Sequence, residues 1–373
     1  MRKASLFIIL LTVLAAYLPA ATAVAQQKWT TKQANDWYKS QPWYVGCNYI
    51  PYNAINELEM WQAETFDLKR IDQELQWAED LGLNTMRVFL HDLLWKQDPE
   101  GFKKRIDQFL AVCEKHHIKP MLVLFDSVWD PNPQLGKQRE PKPGVHNSGW
   151  MQSPGAASLS DEKDWPRLEG YVKGVVGAFA NDKRVMSWDI WNEPDNFNNN
   201  NYAEPKNKIE IIEKILPMAF EWARAAKPSQ PLTSGVWKIN YKEFKELTKT
   251  EKLQLELSDF ISFHCYDDAA SFERAVAFLK KYERPMICTE YLARGNKSTF
   301  ETILPIGKRE KIGMINWGFV VGKTQTNLPW DSWQKPYVDG RQPAVWHHEI
   351  LNADGTPYKA EEVKTIKSLT GKK

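Results

Sequence analysis

Eight short apolar runs of strand length recur along this chain, and segments whose apolar residues fall at helical spacing separate them. That alternation narrows the fold more than any other feature of the sequence. The runs read as strands at Trp43–Tyr49, Asn84–Leu90, Lys119–Phe125, Val185–Trp191, Pro231–Val236, Asp259–His264, Pro285–Thr289 and Ile312–Phe319. Between them the spacing predicts helices at Phe66–Leu81, Phe102–His117, Asp164–Ala180, Lys208–Ala226, Tyr241–Thr250, Ser271–Tyr282 and Phe300–Glu310. A lead-in helix at Thr31–Lys39 and a last one near Glu361–Leu369 complete the set. With no linker or internal duplication, the pattern is that of an α/β protein, a single (β/α)8 TIM barrel. A doubly wound open sheet also alternates, but no Gly-rich phosphate loop follows the first strand, which sets nucleotide chemistry aside.

Ahead of the barrel, Arg2 and Lys3 precede an apolar run from Leu6 to Leu18 and the small-residue segment Ala23-Val24-Ala25. That order is expected of a secretory signal peptide spanning residues 1–25, and the apolar run is short for a membrane span. The expected location is the periplasm or the medium, with no membrane association after cleavage and a single monomeric domain at 26–373. The net charge of +2 leaves the chain near neutral and gives no argument for a nucleic-acid partner. The four Cys, at 47, 113, 265 and 288, lie singly in apolar surroundings and read as buried thiols, with a Cys265–Cys288 bridge left open.

Function enters at the strand ends. The fourth run closes on Trp191-Asn192-Glu193-Pro194, where Pro194 removes a backbone donor and stops the ladder. The seventh delivers Glu290 in the same way, through Met286-Ile287-Cys288-Thr289-Glu290. The carboxyl ends of parallel barrel strands share one mouth, so these carboxylates are expected to meet there. Arg87, His91, Asp92, Asp126, Asn192, Trp237, His264, Tyr266 and Trp317 are brought to the same mouth. A count of 17 Trp is high, and Trp95, Trp129, Trp150, Trp330, Trp333 and Trp346 fall in expected loops. Flat rings suit the faces of sugars while carboxylates, amides and Arg suit the hydroxyls. Paired carboxyls roughly 5 Å apart support double displacement and about 6.5–9.5 Å supports inversion, a choice that sequence spacing does not make.

Trp191-Asn192-Glu193-Pro194 resembles the acid/base motif of the clan A glycoside hydrolases, and the whole chain is similar to the cellulase-like family 5 and its relatives. The likeness extends through Arg87 on strand two, His264 and Tyr266 on strand six, Glu290 on strand seven and Trp317 on strand eight. It implies a retaining hydrolase of β-linked poly- or oligosaccharides with Glu193 as acid/base and Glu290 as ionised nucleophile, held down by donors such as Arg87 and Tyr266. It further implies Asn192 on the sugar 2-hydroxyl, Trp317 under the reacting ring and His264 in an orienting role, with neither metal nor organic cofactor. Where many relatives carry a His on strand three this chain has Asp126, and strand two runs on into His91-Asp92. Asp126 and His91 are expected either to touch substrate or to support loops. His347 and His348 are adjacent and read as surface or loop packing rather than a metal pair. A non-catalytic carbohydrate-binding barrel or a transglycosylase with the same residues is the alternative. If the segments Asp126–Leu159 and Lys323–His348 block one end of the cleft, exo action is favoured.

Overall fold

The computed structural model of the protein describes residues 26–198, 200–239 and 246–372. The expected signal peptide, and residues 241–245 of the helix expected at Tyr241–Thr250, lie outside the described residues. Eight parallel strands are present: β1 Val45–Asn48, β2 Thr85–Phe89, β3 Met121–Asp126, β4 Ser187–Asn192, β5 Leu232–Thr233, β6 Ile261–His264, β7 Met286–Glu290 and β8 Gly313–Trp317. Their order is β5-β4-β3-β2-β1-β8-β7-β6. The remaining seam is closed by a bridge between Val236 and Phe263 and by His264 N donating to Val236 O at 2.9 Å. The result is a (β/α)8 TIM barrel.

Twelve α-helices surround it among the described residues: α1 Thr31–Lys39, α2 Glu57–Trp61, α3 Leu68–Asp80, α4 Asp92–Gln97, α5 Pro99–Lys115, α6 Ala156–Ser160, α7 Trp165–Ala178, α8 Lys208–Ala225, α9 Lys249–Leu257, α10 Ala269–Leu279, α11 Phe300–Glu310 and α12 Ala360–Thr370. Local chemistry fixes their starts. Asp67, Asp98 and Asp268 accept from the free N–H groups at the first turns of α3, α5 and α10, satisfying donors that have no partner within the helix. α9 begins later than the expected helix because Thr248 and Glu251 form a reciprocal capping box there. The short helices α2, α4 and α6 were not expected, and Trp95, expected in a loop, stands on α4.

Every strand is buried, Trp317 alone being half-exposed, as a parallel sheet wrapped by helices requires. Tyr44, Met121, Met186, Phe260, Ile287 and Ile315 form one small cluster, and Phe89, Val123 and Trp150 form a second beside Trp317. The four Cys are free and buried, so no bridge joins Cys265 to Cys288.

One buried cation ties the last helix to the mouth. Arg294, in the loop after β7, forks onto Glu362 of α12 at 2.8 and 2.5 Å and donates to the carbonyls of His348 at 2.6 Å and Glu349 at 2.7 Å. Both side chains are almost fully buried. Replacing Arg294 with Ala strands the Glu362 charge and frees these two carbonyls and that of Trp346, so chemical denaturation should show a loss of about 3–5 kcal/mol. A loss within experimental error would show that the pair carries no such weight.

Candidate active site

The backbone places the first carboxyl by a sharp turn. β4 ends at Asn192, and Glu193 takes φ 42°, a left-handed conformation that costs a residue with a Cβ roughly 1 kcal/mol. Its side chain is thereby held in the mouth at 6% exposure, while Glu290, the last residue of β7, is at 3%. Both line one cleft of about 830 Å³, its open mouth included, together with Asn192, Asn196, Trp129, Trp237, Tyr266, Trp317, Trp330, His146 and His348. A carboxylate oxygen of each and a ring nitrogen of His264 all lie within 4.8 Å of one another. Among the described residues, these three side chains are the group of His, Cys, Asp and Glu close enough to hold a metal ion.

The two carboxyls differ in their surroundings. Burial pushes Glu193 up to about 7, the nearby Asp195 charge adds to the rise, and the Asn196 amide, donating to Oε2 at 2.7 Å, opposes it. Glu290 accepts from Arg87 Nη1 at 2.7 Å and from Tyr266 Oη at 2.7 Å. Burial raises its pKa and the Glu193 charge adds to the rise, while His264, Arg87 and Tyr266 oppose it without cancelling it, so Glu290 too sits above the ordinary carboxylate range. The expectation of a net depression is thus corrected: the donors limit a rise instead of producing a fall.

Arg87 is wholly buried inside the barrel. Besides Glu290 it donates to Asp189 at 2.7 and 3.0 Å, to Asn48 Oδ1 at 2.9 Å and to Asn192 Oδ1 at 2.7 Å. A guanidinium only donates, so it fixes the Asn192 amide with its oxygen inward. One Asn192 N–H then reaches Asp126 Oδ1 at 2.9 Å, and the second is left for a ligand in the cleft.

His264 meets Glu193 Oε1 through Nδ1 at 2.7 Å, and burial lowers its pKa to about 4. The ring is therefore neutral near pH 7, and the contact is a hydrogen bond, in keeping with an orienting role. Gly235 makes room for it, since a Cβ there would sit 3.0 Å from His264 Nε2. Asp126 and His91 are not among the cleft residues. Asp126 is held behind Asn192 by Trp150 Nε1 at 2.6 Å, and burial raises it to about 7. His91 caps α4 by accepting from Leu93 N at 3.1 Å. Both are supports, not cleft contacts.

Other residues escaped the sequence. Asn196 lies in a polar turn cluster that gives no cue to its contact with Glu193. Of the two readings of His348, surface or loop packing, it takes the second: it is 1% exposed, packs with His146, Trp330 and Tyr266, and also borders the cleft, which the sequence did not announce. Of the six loop-assigned Trp, Trp129 and Trp330 reach the cleft wall, Trp150 and Trp333 stand behind it, and Trp346 stacks on Tyr358 at 4.2 Å.

No protein-family model and no curated protein matches the sequence. Solved structures do match in shape. GH5_18 from Streptomyces cattleya, solved in complex with Manb1-4GlcNAc, superposes with a TM-score of 0.59 over 88% of this chain and 80% of that one, at 11% identity. The endo-1,4-beta-mannanase from Rhizomucor miehei gives 0.57 over 90% and 96%, at 13% identity. The exo-beta-1,4-mannosidase Op5Man5 from an Opitutaceae bacterium gives 0.58 over 88% and 60%, at 17% identity. The chain thus has the fold of these glycoside hydrolase barrels.

The raised pKa of Glu193 has a consequence for stability. Between about pH 4.5 and 7 the folded protein keeps a proton that the unfolded chain releases, so this carboxyl destabilises the fold as pH rises through that window. Asp126 and Glu349, raised to about 7 and 8, add to the same trend. The Glu193→Gln variant should therefore gain about 2–3 kcal/mol relative to the parent between pH 5 and pH 8 in urea denaturation. Parallel stability curves for the two proteins would contradict the raised pKa.

Proposed function

We propose that this protein is an exported retaining glycoside hydrolase acting on β-linked poly- or oligosaccharides. One observation carries the reading: two carboxyls from β4 and β7, with oxygens within 4.8 Å, share a cleft walled by Trp129, Trp237, Trp317 and Trp330. One oxygen of each carboxyl lying that close supports the roughly 5 Å arrangement of double displacement over the ~6.5 Å and more at which a water fits between the carboxyls.

In the first half-reaction a Glu290 oxygen attacks the anomeric carbon as the glycosidic bond breaks, and the proton on Glu193 passes to the departing oxygen. Glu193, then ionised, takes a proton from water, whose oxygen attacks the same carbon and releases Glu290. A pKa near 7 suits both duties, since the group is protonated before the first step and competent as a base in the second. Arg87 and Tyr266 hold Glu290 in line, and the free Asn192 N–H is placed for the sugar 2-hydroxyl, whose contact strengthens as positive charge grows on the ring.

The similar structures named for β-mannosides put mannose-configured substrates first in a panel that also needs gluco- and xylo-configured ones. Export with loss of residues 1–25 is part of the proposal, and a secreted form beginning at Gln26 would support it against a form retaining Met1. The Glu290→Gly variant should lose hydrolysis by about 10⁴-fold or more, and azide should restore turnover of activated aryl glycosides through the space left. Undiminished activity in that variant would overturn the nucleophile assignment.

A further inference from the structure

We propose that the loops after β3 and β8 wall off the non-reducing side of the cleft, so that the enzyme removes single sugars from chain ends. This deepens the glycosidase reading and rests on it.

The two loops are stitched together by backbone pairing between distant parts of the chain. Asn147 N donates to Thr324 O at 2.7 Å, and Tyr337 N donates to Gly144 O at 2.8 Å. Buried His146 adds two more links, from its N–H to Ser332 Oγ at 2.9 Å and between Nδ1 and the Leu328 carbonyl at 2.7 Å. Trp129 stacks on Trp333 with ring centres 5.1 Å apart and planes 12° from parallel. The loop after β1 joins in, Lys323 N reaching Tyr52 O at 2.9 Å. Backbone groups satisfied in this way are costly to separate, so the seam is a built wall and not a loose covering.

Its position decides its effect. In the sheet order β3 and β8 flank β2 and β1, so loops joined from β3 to β8 roof the β1–β2 half of the mouth. Beneath that roof Trp150 and Phe89 pack edge-on against Trp317 at 5.7 and 5.8 Å. The leaving group must lie where Glu193 can protonate it, on the side bordered by Asn196 and Trp237. A sugar on the other side of the reacting ring would have to run from Trp317 toward β1 and β2, where Phe89, Trp150 and the stitched loops leave a hollow with room for about one water and not for a second ring. One ring fits before the wall, and the terminal sugar fills it.

The test uses the unmodified protein and short oligosaccharides, labelled at the reducing end, of the configuration it hydrolyses fastest. Monosaccharide should be the sole early small product, with the labelled chain shortening one unit at a time. Capping the non-reducing terminal hydroxyls with a benzylidene group should slow cleavage by about 100-fold or more, because the cap meets the wall. Early release of di- or trisaccharide from the non-reducing end, or undiminished cleavage of the capped substrate, would overturn the wall. Failure to hydrolyse any member of the panel would instead sink the glycosidase reading, and this inference falls with it.

Discussion

A cation with no access to water governs the centre of this barrel. Arg87 is fully buried, and an unpaired charge there would carry a desolvation penalty of several kcal/mol. The barrel answers with two carboxylates, Asp189 and Glu290, and two amide oxygens, on Asn48 and Asn192. Because these partners come from β1, β4 and β7, one side chain sets the relative positions of strands that are remote in sequence. It also fixes the Glu290 carboxylate and the Asn192 amide, the groups that a sugar would meet. Structure and chemistry therefore rest on the same hydrogen bonds.

Burial then divides the labour between the carboxyls. Both are pushed upward by loss of water, but Glu290 is given Arg87 and Tyr266 as donors, whereas Glu193 has a side-chain amide and a neutral imidazole. Arg87 and Tyr266 oppose the rise at Glu290, while at Glu193 burial and the Asp195 charge are opposed by the Asn196 amide. Asp126 does the work of a spacer behind this pair: anchored by Trp150, it holds the nitrogen of Asn192 from below.

The barrel was legible because each strand carries a continuous apolar run and each helix an amphipathic face, both local signals. Glu193, Glu290, Asn192, Tyr266 and Trp317 were legible because strand ends in such a fold share a mouth. What depends on long-range packing was hidden. Asp126 and His91 sit at strand ends like the others, and only their partners, Trp150 and the first turn of α4, show that they face inward or sideways. His348 read as surface or loop packing, and nothing near it in sequence announces that the packing is with His146 and Trp330 at the cleft wall. The late start of α9 followed from a capping box at Thr248 that lies seven residues into the expected helix, and the sign of the Glu290 shift from a balance between burial and donors that no motif encodes.

The central claim is that Glu290 forms a covalent bond to the sugar while Glu193 manages the proton. The most direct measurement is mass spectrometry after incubation with an activated 2-deoxy-2-fluoro-β-glycoside, whose electronegative substituent slows release of the glycosyl enzyme. The account predicts a mass increase of one fluoroglycosyl group, with fragmentation locating it on Glu290. Attachment to another residue, or hydrolysis of the parent glycoside with no adduct from the fluorinated one, would contradict it.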